Sequence, residues 1–191
     1  MIEGSEHRYT LEEFWRLVET FPEHKYEYID GYVRMMTGGS PAHSQIGANV
    51  NRVLGNALYD KECNVYNSDL MIQLSEDRCY YPDAVVSCDP RDWAQKKVVQ
   101  SPSVVVEVLS PGTERIDKNE KLAAYQKYPT IQDILLVDSR RCYVEHYHRV
   151  DYPKWEISYY ESGDNVVELE CIEVSFSVRE LYHKVYLELE D

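Results

Sequence analysis

Residues 101–125 read SPSVVVEVLSPGTERIDKNEKLAAY, and the fold turns on how this stretch is read. Val104, Val105, Val106, Val108 and Leu109 form an apolar, mostly β-branched run that predicts a strand buried on both faces. Glu107 stands inside that run. An ionised carboxylate buried without partners is strongly unfavourable, so Glu107 must face a polar cleft, a cation or a metal. Ser110-Pro111-Gly112 breaks the strand, and Arg115 to Lys127 predicts a helix on which Lys121 and Tyr125, four residues apart, share a face.

Upstream, Tyr81-Pro82-Asp83 leads into a second apolar run, Ala84-Val85-Val86, with the proline fixing its start. Two carboxylates at the ends of neighbouring strands, with a lysine nearby, suit a Mg²⁺-dependent phosphodiester hydrolase. Hard oxygen ligands hold such an ion, which polarises the phosphate and activates a water. An ammonium then stabilises the developing negative charge. The plainer reading makes Glu107 an edge-strand residue and Asp83 a strand-start cap, as in structural ion pairs.

Working outward, Thr10-Leu11-Glu12-Glu13 is a capping box, followed by a helical stripe of Leu11, Phe14, Trp15 and Val18. Tyr26 to Ile29 and Tyr32 to Met36 flank Asp30-Gly31 and predict a hairpin. Glu27 alternates with Tyr26 and Tyr28, which puts it most simply on the solvent side. Gly38 to Pro41 is a loop, and 43–59 predicts a helix with Ile46, Val50, Val53, Leu54 and Leu58 inward. His43, at its start, could contact a phosphate or substrate, or be an ordinary polar residue near a cap. Val65 to Leu74 predicts one strand, and Ser75-Glu76-Asp77 turns towards the Asp83 strand. Asp89 to Gln100 reads as a loop or short helix carrying Arg91, Lys96 and Lys97.

Further on, Ile131 to Val137 predicts a buried strand, and Tyr143 to His148 alternates and pairs with Trp155 to Tyr160 as an antiparallel extension. His146 and His148 share a strand face, where they could chelate a metal. With no third ligand evident, the expectation is a pair of solvent-face residues. Ser177-Val178-Arg179-Glu180 is a second capping box, predicting a C-terminal helix through Leu187. The 17 tyrosines fall mostly on strand-like segments, where packing explains them better than base stacking.

At 191 residues the chain is read as a single α/β domain, 1–191, with room for a substantial core. The net charge of −14 argues against a protein whose whole surface coats nucleic acid, because such binding draws much of its affinity from basic side chains displacing counterions. Segment 112–128 carries four basic against three acidic side chains and is the least acidic docking surface. Five scattered cysteines without a CxxC pair read as reduced thiols, not a disulfide frame or zinc site. The first residues lack a signal-peptide core and no run reaches transmembrane length, so a cytoplasmic protein is expected.

Taken together, YTLEEF at 9–14, KYEYIDG at 25–31, His43-Ser44, Ser68-Asp69, YYPDAVVSC at 80–88, the 101–125 stretch and YPTIQDILLVDS at 128–139 resemble the Uma-two family of endonucleases. This family lies within the PD-(D/E)XK restriction-endonuclease-like superfamily. The resemblance runs along essentially the whole chain. It implies a mixed sheet of αβββαβ type flanked by helices, with Asp83, Glu107 and the Val108 carbonyl as metal ligands. It also implies Mg²⁺ or Mn²⁺ as cofactor and DNA as substrate. Two cuts on a duplex would suit a homodimer. The superfamily lysine normally lies two residues after the second acid, where this chain has Leu109. In the family it moves to the following helix, which assigns charge stabilisation to Lys121. Glu27 becomes an auxiliary metal- or water-positioning residue, and His43 and Tyr125 complete the candidate set. Ile134 stands where relatives often carry an aromatic. The rival expectation is a catalytically silent nuclease-like domain acting as a nucleic-acid or protein binding module. A third is a purely structural domain, in which Glu107 would pair with a basic residue and hold no metal.

Overall fold

The computed structural model describes residues 7–36, 38–95 and 97–187. Lys96 and residues 1–6, drawn on above, lie outside them. The chain begins with α1 (Leu11–Thr20), the hairpin β1 (Tyr26–Ile29) and β2 (Tyr32–Met35), and α2 (Pro41–Ala57). Strands β3 (Asn64–Asn67), β4 (Met71–Ser75), β5 (Arg78–Tyr80) and β6 (Ala84–Ser87) follow. Next come the short α3 (Pro90–Trp93), β7 (Val98–Val99) and the central β8 (Val104–Leu109). Helix α4 (Glu114–Ile116), a π-helical segment at Asp117–Lys121 and α5 (Leu122–Lys127) form one broken helix. The chain continues through β9 (Asp133–Asp138), β10 (Val144–Asp151), β11 (Lys154–Tyr160) and β12 (Val166–Leu169). A 3₁₀ turn at Glu170–Ile172, β13 (Val174–Ser177) and α6 (Val178–Leu181) complete it.

The architecture is mixed α/β, with helices flanking a mixed six-stranded sheet of order β11-β10-β9-β8-β6-β3. Strands β8 and β9 run parallel and the other pairings are antiparallel, so β10 and β11 form the expected antiparallel extension. A five-stranded sheet, β2-β1-β5-β4-β7, packs beside it, and β12 and β13 make a separate hairpin. All six residues of β8 are buried, as a strand covered on both faces requires. Val104, Val106 and Val108 join Ile46, Val50 and Leu54 of α2 on one face. Val105 and Leu109 join Leu122 and Tyr125 of α5 on the other. The strand's period of two therefore points Glu107 towards α5.

Local chemistry sets several boundaries. Thr10–Glu13 and Ser177–Glu180 are both complete capping boxes. The Asp30-Gly31 turn has φ of 51° and 90°, the positive pair that a tight hairpin turn demands. The single strand expected over 65–74 is two: Asn67 Oδ1 accepts the Asp69 N–H at 3.0 Å and ends β3, and β4 restarts in the other sheet. The C-terminal helix stops at Leu181 rather than Leu187, with Lys184 left-handed at φ 58°. The expectation of reduced thiols is corrected for Cys63 and Cys88, which are joined by a disulfide, whereas Cys79, Cys142 and Cys171 are free. Antiparallel pairing aligns Asn64 with Ser87, which brings the flanking cysteines together. That neighbourhood arises from sheet register and leaves no local mark in the sequence.

Ile134 is fully buried among Val105, Leu136 and Tyr147. Its replacement by Ala is expected to cost about 2–5 kcal/mol in urea unfolding, with an unchanged denaturant slope. A loss below about 1 kcal/mol would mean that the aliphatic side chain does not fill this part of the core.

Candidate active site

Three elements deliver the candidate residues to one cavity of about 850 Å³. Strand β8 supplies Glu107 and Val108, the residue preceding β6 supplies Asp83, and the π segment supplies Asp117 and Lys121. Asp83 is clamped to β8: its N–H donates to the Val106 carbonyl at 3.1 Å, and its Oδ2 accepts the Val108 N–H at 2.7 Å. Asn51 of α2 donates to the Asp83 carbonyl at 3.3 Å. The two acids therefore sit at the adjoining ends of paired strands.

Glu107, Glu27 and Lys121 form a buried ionic cluster. Lys121 Nζ donates to Glu107 Oε1 at 3.1 Å, lies 2.9 Å from Glu27 Oε1, and is 3.5 Å from Asp117 Oδ1. Tyr125 OH donates to the same Glu107 oxygen at 2.5 Å. Lys121 and Tyr125 thus share the face that their spacing predicts. The solvent-side reading of Glu27 is overturned, because the residue is fully buried. Arg34 Nη2 holds its other oxygen at 2.6 Å and reaches on to Glu120 at 3.1 Å. The edge-strand reading of Glu107 fails as well, since β8 is paired on both sides.

Burial raises the Glu107 carboxyl well above the ordinary carboxylate range, against the opposing pull of Lys121. Burial raises Asp117 too, again opposed by Lys121. Lys121 itself would be lowered by burial, but Glu107, Glu27 and Asp117 together outweigh that and hold the ammonium above its usual value. The cluster gathers five carboxylates, Glu27, Asp83, Glu107, Asp117 and Glu120, against two permanent cations, Lys121 and Arg34. It is short of positive charge.

His43, at the capped start of α2, lies with Nε2 3.5 Å from Asp83 Oδ2. Its hydrogen bond to Asp83 raises its pKa, with burial opposing. Gly39 leaves room for the ring, since a Cβ there would stand 2.7 Å from Nδ1. Leu109, where the superfamily pattern places lysine, is buried in the core, and the ammonium that reaches Glu107 comes from the helix instead. The least acidic segment is not a free basic surface: Lys121 is buried, and Lys118 is paired with Glu145 at 2.7 Å. Sequence reasoning missed Arg34 and Asp117 as members of the cluster. Asp117 could have been found, because it lies four residues before Lys121 on the same helix.

Residues 11–181 match the family described as "Uma2: Putative restriction endonuclease". The chain belongs to the Uma2 family. Among its relatives, "Uncharacterized protein slr1290" of Synechocystis sp. is 40% identical over 159 residues, 83% of each chain. "Uncharacterized protein sll1609" of the same organism is 33% identical over 135 residues, covering 69% of this chain and 76% of that one. In fold the chain is similar to a crystal structure of "a putative nuclease belonging to DUF820" from Anabaena variabilis. The TM-score is 0.73 at 21% identity, over 91% of this chain and 97% of that one. A nuclease-like fold is therefore established. Among the described residues, no helix is long and apolar enough to cross a membrane.

Lys121→Met leaves Glu27, Glu107 and Asp117 with one fewer buried cation, for an expected loss of about 3–5 kcal/mol near neutral pH. Acids whose folded pKa is raised favour the fold below their unfolded pKa, and that contribution is lost as pH rises through the folded value. Removing Lys121 exaggerates this trend, so the penalty should be larger at about pH 8 than at about pH 5. Urea unfolding in EDTA measures both, and an equal penalty at the two pH values would contradict the charge assignment.

Proposed function

We propose that this Uma2 protein is a divalent-metal-dependent endonuclease that hydrolyses DNA phosphodiester bonds. The observation that carries the proposal is the convergence of Asp83, Glu107 and Val108 on one cavity whose carboxylates outnumber its cations. A phosphodiester brought to such a site meets like charge unless a cation intervenes. The donor set fits Mg²⁺ or Mn²⁺, because hard oxygen ligands suit these ions. Among the described residues, Glu107 Oε1 takes the hydrogen bonds of Lys121 and Tyr125, and Oε2 accepts none.

Asp83, Glu107 and the Val108 carbonyl would hold the ion, which supplies polarisation of the phosphate and activation of a water. The rest falls to the chain's own groups. The Val108 N–H fixes the Asp83 carboxylate, and Tyr125 fixes that of Glu107. Lys121, kept protonated by its neighbours, neutralises charge building on the phosphate in the transition state. Glu27 positions Lys121, and Arg34 positions Glu27. His43 and the positive end of α2, capped by Ser40, line the same cavity and favour an approaching phosphate.

One observation favours a second reading. Lys121 already pairs with Glu107, as it would in a nuclease-like domain that binds without cutting. The test that separates the two incubates plasmid and short duplex DNA with the protein in Mg²⁺ or Mn²⁺. Wild type should cut, EDTA should stop it, and Asp83→Ala, Glu107→Ala and Lys121→Ala should each lose about 100-fold or more of the rate. Cutting by Glu107→Ala at the wild-type rate would overturn the assignment. A wild type that binds duplex in Mn²⁺ but never cuts would favour the binding module.

A further inference from the structure

A second cluster of metal-ligating side chains lies away from the acid site. Asp133 opens β9, where it pairs with His148 of β10 and aligns with Val104 at the start of β8. Glu107 aligns with Leu136, three residues further along, or about 10 Å at the usual strand rise. The two sites also use different faces of the sheet. Leu135, Val137 and Val144 share a face with Asp133, His146 and His148, the side that packs against α2 and the C-terminal hairpin, whereas Glu107 points to α5.

Asp133 is fully buried. Its Oδ1 lies 2.7 Å from His146 Nε2 and 2.8 Å from His148 Nδ1. Its Oδ2, also buried, has no hydrogen-bond partner among the described residues. Two imidazoles crowding one oxygen while the other is left bare is a poor use of a buried carboxylate if hydrogen bonding is its purpose. The ligand atoms of the three residues lie within 4.8 Å of one another. The expected solvent-face placement of the two histidines is thus corrected: His146 is buried, and the missing third ligand is Asp133. Sequence spacing concealed it, because Asp133 meets the histidines only through antiparallel pairing of β9 with β10.

We propose that Asp133, His146 and His148 form a Zn²⁺ site that fastens β9 to β10 and leaves a fourth position to a solvent ligand. Two imidazole nitrogens and a carboxylate oxygen are a zinc donor set that keeps one position open, and imidazole ligands select against Mg²⁺. The orphaned Oδ2 then gains a partner in the ion.

The test uses the full chain, stripped with chelator and titrated with Zn²⁺ and, as a spectroscopic probe, Co²⁺. It is run in wild type, Glu107→Ala and His148→Gln. His148 is half-buried, so its replacement should leave the fold intact, which chelator-treated melting curves check. The proposal expects one Zn²⁺ per chain in wild type and in Glu107→Ala. His148→Gln should weaken Zn²⁺ by more than about 100-fold, beyond what an outer-sphere partner is worth. Co²⁺ should give the visible absorption of a low-coordinate imidazole site, and His148→Gln should remove it. Zinc lost in Glu107→Ala but kept in His148→Gln would place the ion at the acid cluster and overturn the proposal. So would a wild type that binds no Zn²⁺, or a Co²⁺ spectrum indifferent to His148→Gln.

Discussion

Glu107 is a carboxylate in a strand with no exposed residue, and it is tolerable there because Lys121 and Tyr125 reach it from the neighbouring layer. Much of the rest follows from that requirement. The helix after β8 must present an ammonium and a hydroxyl to one point, and it does so across a π-helical segment, a distortion that recurs at functional sites. Lys121, buried in turn, needs more negative charge than one glutamate supplies, and Glu27 enters from the neighbouring sheet. Glu27 then needs Arg34. The two sheets are joined at this cluster by ionic contacts in a region where apolar packing would otherwise suffice. A buried network of this kind is weak evidence for stability in itself, since well-packed apolar residues would often serve as well. Its excess of carboxylates and its opening onto a cavity distinguish it from a structural ion pair.

Family membership and fold similarity establish a nuclease-like scaffold, but a scaffold hosts many chemistries. The particular residues carry the functional argument. The acids at the β6 and β8 ends offer hard oxygen donors, whereas the Asp133 cluster at the other end of β9 offers two imidazole nitrogens beside its carboxylate. These two donor sets prefer different ions. One sheet thus separates, by end and by face, a site suited to chemistry on phosphate from one suited to fastening strands together.

Much of this was legible in the sequence. An apolar run interrupted by one glutamate identified β8 and demanded a partner, and helical spacing put Lys121 and Tyr125 on one side. Capping boxes and the Asp30-Gly31 turn set their elements because they act within a few residues. What escaped depends on contacts between distant segments. Glu27 looked solvent-facing by alternation, because nothing local says that a second sheet covers it. Cys63 and Cys88 met through register, and Asp133 met the histidines the same way. The break at Asn67 was written in an Asx turn that the apolar pattern around it obscured.

The central claim is that Glu107 and Asp83 hold a metal rather than merely balance Lys121. Anomalous diffraction from crystals equilibrated with Mn²⁺ tests it most directly. The account predicts a peak within coordinating reach of Asp83, Glu107 and the Val108 carbonyl, missing in crystals of Glu107→Ala. Saturating Mn²⁺ that leaves no peak there, with Lys121 still bonded to Glu107, would contradict it.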